Sequence, residues 1–161
     1  MNSPYGAFIN KLLTNGKSSK DVSSWEYGIL KILAPHVPKS VSGLVCPICG
    51  KRYTNYRAMK AHYMSVIPRC ASIMKMLFTN LRFLAARMQE ITKKRTYDYR
   101  CRICGKVYPY REDIIQHVIS AHSDALEPLL SNVREILLRH FGIEVEVEER
   151  PRIVVRLVEV K

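Results

Sequence analysis

Residues 99–122 read Tyr99-x-Cys101-x2-Cys104-x3-Tyr108-x5-Ile114-x2-His117-x4-His122. Two thiols and two imidazoles at this spacing supply the donors of a closed tetrahedral zinc site. The segment is too short to bury a core of its own, so a bound ion would have to supply much of its folding energy. Tyr99, Tyr108 and Ile114 fall where a two-stranded turn and one helix would press three side chains together beside the ion. His117 and His122 are five residues apart on a helical run. That is slightly more than one turn, so both rings can face one metal if the last turn loosens. The template recurs upstream as Leu44-x-Cys46-x2-Cys49-x3-Tyr53-x5-Met59-x2-His62, and Cys46-Pro-Ile-Cys49-Gly-Lys echoes Cys101-Arg-Ile-Cys104-Gly-Lys. Gly50 and Gly105 sit just after each second cysteine, where a knuckle turn needs positive φ. The two copies diverge at the fourth donor. No histidine follows His62 within reach, and the next candidate is Cys70, just beyond Pro68. Pro68 should end a helix near Ile67 and turn the chain back toward the ion. The expected site is therefore Cys46, Cys49, His62 and Cys70, with a long last spacer. The alternative is an open site with a water as fourth ligand and Cys70 as an apolar filler. Nothing nearby looks like a general base, and no catalytic constellation or phosphate-cradling loop occurs elsewhere, so an enzyme is not expected.

The run 99–122 resembles the C2H2 zinc fingers at all four ligand and all three core positions. The run 44–70 is similar to an atypical finger of that family with a cysteine as last ligand. The resemblance implies two ββα units and two Zn2+ per chain. In DNA-reading members, base edges are met by helix positions −1, 2, 3 and 6, counted back from the first zinc histidine at position 7. Carried over, these are Asn55, Arg57, Ala58 and Ala61 in the first finger, and Tyr110, Glu112, Asp113 and Gln116 in the second. Arg57 could hold a phosphate and Asn55 could meet adenine, but two alanines leave little for a code. The second set carries two carboxylates, which repel phosphates, and neither finger has the arginines that read guanine. The second finger could therefore be a structural or protein-binding module. Fingers that follow one major groove in tandem are joined by a short linker, whereas thirty residues lie between Cys70 and Cys101. These two are not expected to track one groove as a pair.

The five cysteines are all used by the two sites, while a disulfide framework would leave an odd thiol. With no apolar run of signal-peptide length at the start and no stretch long enough to span a bilayer, the expectation is a soluble intracellular protein without membrane contact. Net charge is +12 over 161 residues, unevenly spread. Residues 46–95 carry eleven basic side chains and one acidic, and 123–161 are net acidic. A polyanion is the natural partner. Lys51, Arg52, Asn55, Arg57, Lys60, Arg82, Arg87, Lys93, Lys94 and Arg95 are the candidate nucleic-acid contacts, with DNA favoured and RNA possible.

The elements that must position these groups make an α+β, zinc-stabilised chain. Its expected divisions are an N-terminal helical segment (1–40), finger 1 (44–70), a basic amphipathic helix (71–95), finger 2 (99–122) and a C-terminal helix with a β-hairpin (123–161). Helices are expected over 4–14 and 21–34, with Pro35 and Pro38 opening a linker. From Ala71 to Arg95, apolar residues recur at three- and four-residue steps without proline or glycine, which predicts one long helix. Its charges are either simply solvated or laid along a phosphate backbone. Ser123-Asp124 should cap a helix reaching Phe141, with Gly142 as its stop. Alternation over Ile143–Val147 and the run Ile153–Val160 predict a hairpin whose apolar face needs cover, from the chain's own helices, from a second copy, or from a protein partner. His36 and His140 fit no ligand spacing and read as structural. Three functions fit: a DNA-binding regulator, an RNA- or ribosome-associated protein, and a zinc-held protein–protein adaptor.

Overall fold

The computed structural model describes residues 20–64, 69–147 and 153–158. The helix expected over 4–14 lies outside the described residues. Helix α1 (Lys20–Leu33) buries Trp25, Ile29, Leu30 and Leu33. Where Pro35 and Pro38 suggested a linker, the chain instead makes a short helix, α2 (His36–Ser42). Pro38 is tolerated because it stands in the first turn, where backbone N–H groups have no intrahelical acceptor.

The first repeat keeps only a single bridge, Val45 to Arg52, before its helix α3 (Tyr56–Met64). Helix α4 (Arg69–Ile91) follows, 23 residues with one continuous buried stripe that includes Met74, Leu77, Phe78, Leu81, Leu84 and Met88. The expected helix to Arg95 ends early. Thr92–Lys94 forms strand β1, which joins β2 (Tyr99–Cys101) and β3 (Val107–Tyr108) in an antiparallel sheet of order β1-β2-β3. β1 pairs Thr92 with Cys101, Lys93 with Arg100 and Lys94 with Tyr99. Once β2 is fixed by its metal-binding turn, its open edge offers unpaired backbone groups that Thr92–Lys94 satisfies.

Helix α5 (Arg111–Ala121) completes the second repeat. The single helix expected from Ser123 to Phe141 is broken into a 3-10 turn, Ser123–Leu126, and helix α6, Leu129–Phe141. Pro128, preceded by a cis peptide bond, separates them, since proline cannot continue a helix interior. Gly142 ends α6 as expected. Strands β4 (Ile143–Val147) and β5 (Ile153–Leu157) pair antiparallel, placing Glu144 opposite Arg156. The ladder is closed by the Val158 N–H donating to the Gly142 carbonyl. Ile143 and Val145 are buried in the same cluster as Val133 and Leu137 of α6, so the chain's own helix covers those two residues of β4, while Leu157, opposite Ile143, is exposed. Arg134 Nε donates to the Val145 carbonyl at 3.1 Å. The buried side chains of α1, α4, α5, α6 and both repeats form one contiguous core. No helix among the described residues is long and apolar enough to cross a membrane.

Two candidate zinc centres and a basic face

Both knuckles are built by the same hydrogen bonds. In the second repeat the Cys101 N–H donates to the Lys106 carbonyl and the Gly105 N–H to the Cys101 carbonyl, each at 2.8 Å. In the first, Cys46 N–H reaches Lys51 O at 2.9 Å and Gly50 N–H reaches Cys46 O at 2.8 Å. Gly105 and Gly50 sit at φ +80° and +75°, a region open to glycine at no steric cost. The repeat seen in sequence is thus a repeat in backbone conformation.

The knuckles and helices bring two sets of four donors together: Cys46, Cys49, His62 and Cys70, and Cys101, Cys104, His117 and His122. Within each set the donor atoms all lie within 4.8 Å of one another. Zinc bonds of about 2.3 Å to sulfur and 2.0 Å to nitrogen imply tetrahedron edges of roughly 3.3–3.8 Å. Cys104 Sγ lies 3.2 Å from His117 Nε2, and Cys49 Sγ lies 3.8 Å from His62 Nε2. The ring of Tyr108 packs 4.9 Å from His117, and that of Tyr53 packs 5.1 Å from His62, both tilted by 32°. The apolar template positions therefore hold the imidazoles. Met59 and Ile114 are buried beneath them. Cys70 stands in the first turn of α4, and the helix end and turn expected at Ile67 and Pro68 lie outside the described residues.

The chemistry of each donor set suits a divalent soft-to-borderline cation. His122 Nε2 is buried with no hydrogen-bond partner, as a ligand nitrogen would be. Burial pushes the His62 and His117 pKa values down, toward the neutral imidazole that binds metal. In the first set, burial and then the neighbouring Cys46 and Cys49 sulfurs push Cys70 up to about 12. Cys49 is driven the other way. Burial opposes its ionisation, but hydrogen bonds from the Lys51 backbone, Cys46 and Cys70 outweigh it. Three thiols this close release their protons together only to a cation. Two zinc ions per chain are consistent with these two clusters.

The candidate nucleic-acid contacts are scattered more widely. Lys51, Arg52 and Arg57 are exposed on the first repeat, with Lys51 Nζ 5.6 Å from the Tyr53 ring centroid. Asn55 is occupied as the N-cap of α3, its Oδ1 accepting from the Ala58 N–H at 2.8 Å. Lys60 is half-buried. Arg82 lies 3.5 Å from the buried Glu26 carboxylate. Arg87 bonds the Ala125 carbonyl and Glu90, and Arg95 pairs with Asp98. Lys93 and Lys94 are exposed on opposite faces of β1.

In the second repeat, Tyr110 and Asp113 are exposed and Gln116 is half-buried, while Glu112 is tied to Lys31 of α1 at 3.2 Å. Arg100 and Arg102, which line a notch with Lys93, escaped the sequence reading. Their signal was alternation: they flank Cys101, and a strand that turns one residue inward turns its neighbours outward.

Comparison with known families agrees with the geometry. A C2H2-type zinc finger profile matches residues 44–66 and a zinc finger, C2H2 type, profile matches residues 99–122. No solved structure matches the chain significantly.

Proposed function

We propose that this chain, which carries two C2H2-type zinc fingers, is a zinc-dependent nucleic-acid-binding protein, foremost a DNA-binding regulator. C2H2 fingers commonly bind nucleic acids, and members of the family are typically not enzymes. The observation that carries the reading is electrostatic. Nearly all of the +12 charge falls on residues 46–95, the first finger and the segment after it. Exposed Lys51, Arg52 and Arg57 on that finger supply phosphate contacts, and the poor base-reading set makes those contacts mostly sequence-independent. RNA is the alternative target, since the same cations suit its backbone. The adaptor reading draws on one contact, the packing of α1 against the helix of finger 2, which suits a structural use of that finger.

The deciding experiment is a titration of the full chain against matched duplex DNA, duplex RNA and single strands over a range of salt. Four to six phosphate contacts give a log–log slope of roughly −4 to −5 on duplex DNA, from about −0.9 per phosphate. Discrimination between random and selected duplexes should be modest, about tenfold to a hundredfold. Weak binding to every nucleic acid with a flat salt dependence would hand the protein to the adaptor reading.

A further inference from the structure

The outer face of the three-stranded sheet carries a notch of about 270 Å³ lined by Lys93, Arg100 and Arg102. Strand register creates it. Cys101 turns inward to the metal cluster, so Arg100 and Arg102 face outward, and β1 sets Lys93 directly opposite Arg100. The Arg102 N–H extends the ladder to the Ile91 carbonyl at 2.8 Å, and Arg102 Nε donates to the Thr92 carbonyl at 3.4 Å. Like charges directly opposite across an antiparallel pair destabilise it. Three exposed cations around one notch are therefore a cost that an anion would relieve. Among the described residues, no carboxylate forms an ion pair with any of the three.

The helix of the same finger is less accessible. Helix α1 packs so closely on α5 that a Cβ built on Gly28 would stand 2.9 Å from Ile115 Cδ1. Lys31 of α1 also holds Glu112, at one of the family's base-reading positions. A duplex groove cannot admit the Ile115 and Glu112 side of α5 while α1 lies on it, although Tyr110 and Asp113 stay exposed. Among the described residues, Lys93, Arg100 and Arg102 on the sheet face are exposed.

Resting on the nucleic-acid reading above, we propose that finger 2 engages nucleic acid through this sheet and not through its helix, with Lys93, Arg100 and Arg102 seating successive backbone phosphates. The spacing favours a chain of phosphates over a single anion. The Cβ atoms of the three cations are set about 5 Å apart across the strands and roughly 7 Å apart from residue 100 to residue 102, so the three long side chains leave from separate points along the sheet. Such contacts fix the orientation of the molecule on the strand without reading bases.

The test compares the full, zinc-loaded chain with a K93A/R100A/R102A variant, by fluorescence anisotropy on a 20-base-pair DNA duplex and the matching RNA duplex. Zinc content and Trp25 emission check that the fold is kept. The salt slope on DNA should become shallower by about 2–3, at about 0.9 per phosphate. The charge-keeping variant K93R/R100K/R102K should retain the slope, as should the helix variant Y110A/D113A. If the triple alanine variant fails to fold, R100A alone should remove about one unit of slope. A wild-type protein that binds steeply while these sheet variants bind with unchanged slope overturns the sheet seat and leaves the function standing. A larger loss from Y110A/D113A than from the sheet variants overturns it too. A wild-type chain that binds neither duplex sinks both readings. Loss on DNA alone, or on RNA alone, supports the seat and identifies which backbone it takes.

Discussion

Cys70 is the candidate fourth donor of the first metal cluster. Its sulfur lies with those of Cys46 and Cys49, where burial and like neighbours keep it protonated unless a cation is present. Replacing it by alanine should therefore reduce bound zinc from two ions per chain to one, read by metal analysis on the purified protein. Two ions retained in Cys70→Ala would mean that a water completes the set and that Cys70 only fills space. A second residue, Glu26, is fully buried in the core and sits 3.5 Å from Arg82. Burial raises its carboxyl from 4.5 to about 7, with Arg82 pulling part of the way back. A folded-state pKa raised above the unfolded value gives stability that is present below about 4.5 and is lost as pH rises through about 7. Glu26→Gln removes that loss while keeping an acceptor for Arg82. Relative to wild type it should gain on the order of 2–3 kcal/mol at pH 8, with the gain fading toward pH 5. Denaturant melts of the two proteins at several pH values measure this difference directly, and a constant offset would refute it.

Between elements, α1 approaches α5 closely at Gly28. Gly28→Ala gains about 1 kcal/mol of helix propensity but drives a methyl into Ile115 Cδ1, which must then shift within a fully buried site. Overpacking of this kind costs about 1–3 kcal/mol, so a net loss is expected. Ile115→Val, which deletes the clashing Cδ1, should restore part of it in the double variant, and a double-mutant cycle reads the coupling. Additive losses would place the strain elsewhere.

This scale also separates what the sequence disclosed from what it hid. Both metal-binding templates, the amphipathic stripe of α4, the stop at Gly142 and the alternating strand at Ile143–Val147 were legible because each rests on local spacing. Strand β1 was not. Thr92-Lys93-Lys94 has no apolar alternation, and it becomes a strand only because β2 presents a free edge. Helix α2 was obscured by Pro35 and Pro38, which are harmless as N-cap and in the first turn. The break at Pro128 was legible in principle, since proline interrupts a helix interior whatever surrounds it. Cys70 was legible as a candidate fourth donor, because no histidine follows His62 within reach and all five cysteines are used by two sites. The cations at Arg100 and Arg102 lay outside the most basic segment, and their alignment with Lys93 depends on pairing that only the fold supplies.

In the whole molecule, the fingers do not stand apart from the rest. Cys46, Cys101 and Ile114 belong to the same core cluster as Leu84 and Leu137. Metal removal should therefore propagate beyond the ligands. The single tryptophan, Trp25, reports on this, since its ring meets that of Tyr99 edge-on at 6.1 Å. On chelation, Trp25 emission should shift red together with the loss of helical circular dichroism, in one transition. Emission unchanged in metal-free protein would show that the helices hold without the ions. Helix α4 has one further consequence. Its first turn contributes Cys70 to one metal cluster, and the residue after its last, Thr92, begins the sheet of the other. At 23 residues it spans ~35 Å. Two binding modules on a flexible tether gain avidity at an effective concentration set by the tether's length. Two modules on a packed helix gain it only on a target whose own spacing matches. On the proposed function the chain would act as a caliper: a partner of the right pitch would be held at both ends, and any other at one.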